Sequence, residues 1–106
     1  MPLYWRGPSG RRNGGLFSTA NNWWTNSNKN VINSATLGNT TDCVIDEWSG
    51  GGIFTFSGTC RDLTISTYIG DCNSPTTAQT LNIHGNCILD GASGNIRGPT
   101  GRAGLS

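Results

Sequence analysis

Phe54-Thr55-Phe56-Ser57-Gly58-Thr59-Cys60 and Leu81-Asn82-Ile83-His84-Gly85-Asn86-Cys87 read alike: apolar, polar, apolar, polar, Gly, polar, Cys. Alternation of this kind marks a strand with one buried face, because successive side chains point to opposite sides of the pleat. The glycine that follows marks a turn or bulge, where a residue without Cβ bends the chain cheaply. The first copy continues as the alternating run Leu63-Thr64-Ile65-Ser66-Thr67-Tyr68-Ile69, and the second through Ile88 and Leu89. The reading is strand, glycine corner, strand, recurring from Phe54 to Leu81, 27 residues on. Two copies predict an all-β chain, built either as a short β-solenoid-like stack or as a small β-sandwich of hairpins. Both architectures produce the same alternation.

Working outward, Cys43-Val44-Ile45-Asp46-Glu47-Trp48 reads as a strand, left by the turn Ser49-Gly50-Gly51-Gly52. Tyr4-Trp5-Arg6-Gly7 reads as a short strand ending at a Gly-Pro turn, and Asn13-Gly14 is a turn signal. Trp5, Phe17 and Trp23 or Trp24 are the bulky groups available to fill or cap the core. Val31-Ile32 is an apolar island in a polar loop, and Asp71 to Gln79 is expected as a surface loop. The expected layout is a single β domain over 1–90, with an aromatic cap over 1–30 and β repeats over 42–90. Residues 91–106 are expected as a Gly-rich, collagen-like arm, ending in the triplets Gly98-Pro99-Thr100, Gly101-Arg102-Ala103 and Gly104-Leu105-Ser106. Both termini are expected to extend from the body.

Apolar residues are 34% and charged residues 12% of the 106, so the core is small and β ladders must carry much of the stability. A formal charge of +1, with one lysine, gives no footprint for nucleic acid. No run is long and apolar enough to span a bilayer, and Met1-Pro2-Leu3-Tyr4-Trp5 does not read as a secretion signal. Synthesis and first folding are therefore expected in a cytoplasm. Arg6, Arg11 and Arg12 near one end, with Arg97 and Arg102 near the other, are candidate contacts for an acidic partner surface.

The signals for chemistry are few. Cysteines at 43, 60, 72 and 87 lack a Cys-x-x-Cys pair, and His84 has no ligand-like spacing to them, so no metal is expected. Asp42, Asp46 and Asp71 sit in no calcium-loop motif. Cys60 and Cys87 hold equivalent places in the two copies, and in-register stacking would bring them about 4.8 Å apart, within reach of a disulfide. Adjacent residues of a strand face opposite ways, so Asp46 and Glu47 are not expected to act as a carboxylate pair. His84 is expected on an exposed polar face. No nucleophile elbow or phosphate loop is present in the sequence. A non-enzyme without cofactors is expected.

The order Tyr4-Trp5-x-Gly7, a glycine-rich loop, Asn22-Trp23, a strand holding Asp42 and Asp46, then Gly58-Thr59-Cys60-x-x-Leu63 and Leu81 resembles a known module. It is similar to the N-terminal module of tailed-bacteriophage surface proteins, including capsid decoration proteins and tail-fibre or β-helical adhesins. The resemblance runs from about residue 4 to residue 90, with Arg6 departing from the usual small or branched apolar residue. It implies a structural protein of a virion, foremost a decoration or cement protein on the capsid surface, binding the major capsid protein. The arginines above would supply the contacts. The alternative it implies is a carbohydrate- or receptor-binding module of a tail fibre or tailspike, with Trp24 and Trp48 as sugar-stacking platforms. A small core and an unclosed β stack separately predict self-association as a homotrimer, because exposed sheet edges need covering.

Overall fold

The computed structural model describes residues 2–48, 55–66 and 80–89 in full, and the backbone of 71–72 and 95–96. The described residues are strand-rich and hold no helix of seven residues or more, compatible with a small all-β fold. Two single turns of 3-10 helix, Pro8–Gly10 and Ala20–Asn22, interrupt the N-terminal third.

Among the described residues there are nine short strands: β1 (Leu3–Trp5), β2 (Trp23–Trp24), β3 (Cys43–Ile45), β4 (Gly58–Cys60) and β5 (Leu63–Ile65), then β6 (Asp71–Cys72), β7 (Leu81–Ile83), β8 (Cys87–Ile88) and β9 (Asn95–Ile96). The largest sheet has the order β2-β1-β3-β5-β8; β2 is antiparallel to β1, and the other pairings are parallel. Two further parallel pairs are β4 with β7 and β6 with β9. A parallel partner needs a long return path, and here at least one other strand intervenes between each parallel pair.

The alternation that the sequence shows builds the core directly. Leu3-Tyr4-Trp5, Cys43-Val44-Ile45 and Leu63-Thr64-Ile65 each run buried, half-buried, buried. Parallel register keeps that phase from strand to strand: Leu3 stands beside Cys43, Cys43 beside Leu63, and Leu63 beside Cys87. Ile45 stands beside Ile65 in the same way. Slipping any strand by one residue would turn its apolar set outward, so burial fixes the register.

The aromatics close this core. Trp5, Phe17 and Trp23 are fully buried, with Trp23 meeting Trp5 and Phe17 edge-on at ring-centroid distances of 5.0 and 4.9 Å. Each indole N–H finds a carbonyl: Trp23 Nε1 donates to Phe17 O at 2.8 Å and Trp5 Nε1 to Asn13 O at 3.0 Å. Buried Asn22 and Asn33 likewise donate to Leu16 O and Ala20 O, each at 3.0 Å, tying the loops to the aromatic end. Unpaired, these groups would each cost about 1–3 kcal/mol.

Several expectations change. The repeat does not pair Phe54 with Leu81; Gly58 stands opposite Leu81, an offset of 23 residues, and Leu63 opposite Cys87, an offset of 24. The two glycines that suggested equivalence do different work. Gly58 opens β4 at φ +89°, where an added Cβ would lie 2.9 Å from the Ser18 Cβ. Gly85 sits in the corner between β7 and β8, where an added Cβ would meet the Asp62 carboxylate and lie 2.9 Å from Arg61 O. That corner has three residues, His84, Gly85 and Asn86, against Arg61 and Asp62 in the corner before it, which accounts for the step from 23 to 24.

The strand expected over 43–48 stops at Ile45, and Asp71-Cys72, expected in a loop, pairs with Asn95-Ile96 from the expected arm. The N-terminal stretch expected to extend from the body instead holds Leu3–Trp5, an inner strand of the main sheet. Phe54, the segment 67–70 and the Gly-X-Y triplets lie outside the described residues.

Candidate functional site

The corners that link one strand to the next carry a repeated polar device. Asp42, Asp62 and Asn86 each stand just before a strand of the main sheet, namely β3, β5 and β8. Asp42 Oδ1 accepts the backbone N–H of Asp62 at 3.3 Å, and Asp62 Oδ1 accepts that of Asn86 at 2.8 Å. Short-chain carboxylates suit the task because they reach a main-chain donor that the ladder leaves free. Arg61 adds a bidentate pair to Asp42, with Nε 2.8 Å from Oδ1 and Nη2 2.6 Å from Oδ2. The Arg61 guanidinium, against the smaller opposing effect of burial, holds the Asp42 carboxyl below the usual carboxylate range.

A second cluster joins the loops. Lys29 Nζ lies 3.0 Å from Asp46 Oδ1 and 2.5 Å from Glu47 Oε1, while Arg12 Nε lies 3.1 Å from Glu47 Oε2. The Lys29 ammonium also stands 5.9 Å from the centre of the Tyr4 ring. Burial works against its charge, but the hydrogen bonds it donates to Glu47 and Asp46 outweigh it and raise the Lys29 pKa. Its bond to Glu47 holds that carboxyl below its ordinary value. The opposed orientation expected of Asp46 and Glu47 fails because both lie beyond the end of β3, where the two carboxylates turn onto one ammonium. Lys29 itself, the keystone of this cluster, carried no motif, and only its being the sole lysine could have singled it out.

The expected partner-binding arginines divide. Arg6 donates from Nη1 to Asn21 O at 3.0 Å and stacks on Trp24, 5.2 Å from the ring centre. Arg12 is held by Glu47, and Arg11 is exposed on the loop after Pro8–Gly10. Arg97 and Arg102 lie outside the described residues. Of the two tryptophans expected as sugar platforms, Trp24 is half-buried with Arg6 on its ring, and Trp48 packs against the core.

The expected Cys60–Cys87 stacking is not what the register produces: Cys60 stands beside Ile83 and Cys87 beside Leu63. Cys43, Cys60 and Cys87 are all free thiols, the first two buried and the third exposed. His84 is exposed, in the corner after β7, where its backbone N–H donates to Cys60 O at 3.0 Å. Among the described residues no group of three or more His, Cys, Asp or Glu is placed to hold a metal ion, and no helix is long and apolar enough to cross a membrane. Leu16, Val31, Ile32, Ile88 and Leu89 are large apolar groups left 43–52% exposed.

No protein-family model, curated protein or solved structure matches the chain.

Proposed function

We propose that the protein is a non-enzymatic structural component of a phage particle, a short β-solenoid that decorates the capsid by binding the major capsid protein shell. The observation that carries this reading is the use to which the resembling positions are put. Trp5, Trp23, Cys60, Leu63 and Leu81 are buried core. Gly7 and Gly58 hold positive φ, at +74° and +89°, Asn22 bonds Leu16 O, and Asp42 braces a corner. Every one of these roles is architectural, as befits a module whose work is to present a rigid surface. The charged groups that catalysis would need are instead engaged with one another, in Arg61–Asp42 and in Lys29 with Asp46 and Glu47.

The solenoid reading rests on stacked parallel ladders, three with offsets of 23 to 24 residues and the β3–β5 ladder with 20. Binding would draw on the exposed Ile88 and Leu89, with self-association as a homotrimer adding contacts through several weak sites at once. With Arg6 and Arg12 held internally, the arginine set expected from the sequence contributes less at this end of the chain.

Mass spectrometry and cryo-electron microscopy of purified particles test the assignment. Symmetric density for this chain on the head supports it. Density confined to the tail would replace it with the receptor-binding reading, and absence from particles would refute it.

A further inference from the structure

The register that separates Cys60 from Cys87 brings Cys60 to a different cysteine. Arg61 N donates to Thr41 O at 2.7 Å and Cys43 N to Asp62 O at 2.8 Å, so the corner after β4 lies flush on the start of β3. Cys43 and Cys60 flank that contact, are 1% and 0% exposed, and belong to the same core cluster. Their thiols are in hydrogen-bond contact. Two small side chains held together in the core where the β4 corner meets the start of β3, strands of different sheets, form the reduced state of a cross-link.

We propose that Cys43 and Cys60 are a disulfide-forming pair, closed by exchange with an oxidised low-molecular-weight disulfide and stapling β3 to the β4 corner. The Cys60 sulfur attacks one sulfur of the small disulfide, forming a mixed disulfide and releasing one small thiol. The Cys43 sulfur then attacks the Cys60 sulfur, breaking the mixed bond and releasing the second small thiol. Each protein thiol gives up one proton to a departing thiolate, and the small disulfide takes up the two electrons. The order of attack follows from the contact between the sulfurs. The hydrogen bond from Cys43 favours the Cys60 thiolate, while that same bond and burial push the Cys43 thiol up. Because both groups are buried, the first step needs local opening of the corner, and exchange is slow while the fold is intact.

This inference rests on the stacking of the strands and not on any role in a particle. A chain folded with reduced thiols in a reducing compartment would acquire the staple on reaching an oxidising one. Closing a loop of about 17 residues should raise the thermal midpoint by roughly 10 °C.

The test treats the full-length protein with oxidised glutathione, blocks remaining thiols with N-ethylmaleimide under denaturing conditions, and maps the peptides by mass spectrometry. The expected result is a Cys43–Cys60 linked peptide, loss of two hydrogens from the intact mass, and a raised midpoint that dithiothreitol reverses. The variant Cys87→Ser should behave in the same way, since the exposed thiol takes no part. Glutathione carried on Cys87 alone, a Cys60–Cys87 linkage, or retention of both thiols after prolonged treatment at a temperature that opens the fold would each overturn the proposal.

Discussion

Asp42 braces Asp62 through the main chain: its carboxylate accepts the Asp62 N–H while also holding Arg61 by both oxygens. Asp62 repeats the act on Asn86, so the corners are tied in series from one strand of the main sheet to the next. Replacing Asp62 by Ala should cost about 1 kcal/mol and speed amide exchange at Asn86, with little change at Tyr4 or Val44. Denaturant titration with hydrogen exchange measured residue by residue checks both parts.

The corner after β7 has room for glycine alone. Gly85→Ala places a methyl group against the Asp62 carboxylate and Arg61 O, contacts that the backbone must shift to relieve. A loss of about 1–3 kcal/mol is expected, larger than for Gly38→Ala, where the added group meets nothing within 4 Å. Thermal denaturation of the two variants side by side gives the comparison.

Trp23 is fully buried, stacks edge-on with two rings and donates to Phe17 O. Trp23→Ala should cost about 3–5 kcal/mol, a large share of the 5–15 kcal/mol expected of such a domain. Trp24→Ala, at a half-buried site beside Arg6, should cost far less. Near-ultraviolet circular dichroism should lose its tryptophan bands in the first variant and keep most of them in the second.

The alternation of apolar and polar residues made the all-β class legible, because burial of one face leaves a period of two whatever the partner strand. Trp5, Phe17 and one of Trp23 or Trp24 were legible as core for a similar reason, being too large and too few to leave outside; which of the two tryptophans is buried, Trp23, was not. The register was not. Gly58 and Gly85 look equivalent in the sequence, but one relieves positive φ at a strand start and the other relieves crowding at a corner. The repeat that the fold uses, Asp42-Cys43-Val44-Ile45, Asp62-Leu63-Thr64-Ile65 and Asn86-Cys87-Ile88-Leu89, is plain once the pairing is known. Its corner residue matters through a side-chain bond to the next corner, a long-range contact that no local pattern announces. The Lys29 cluster was hidden for the same reason: its partners are contributed by a different loop.

Stability should depend on pH through the ion pairs. Asp42 and Glu47 have folded-state pKa values below their unfolded ones, so their contribution is present above about pH 4–5 and is lost as pH falls through the depressed values. Lys29 has a raised value, so its contribution is present below about pH 10 and is lost as pH rises through it. The thermal midpoint should be flat across the neutral range and fall below about pH 4. Glu47→Gln should shrink the acid limb and lower the neutral plateau by a few degrees, less at high salt because the glutamate is half exposed. Differential scanning calorimetry across pH reads both.

Parallel stacking of the ladders is tested most directly by backbone nuclear Overhauser effects in the isotopically labelled protein. Contacts linking Val44 with Thr64, Thr64 with Ile88, and Thr59 with Asn82 are the predicted result. Cross-strand contacts pairing residues 58–60 with 63–65 as an antiparallel hairpin would contradict it, and with it the stacked surface on which the proposed role depends.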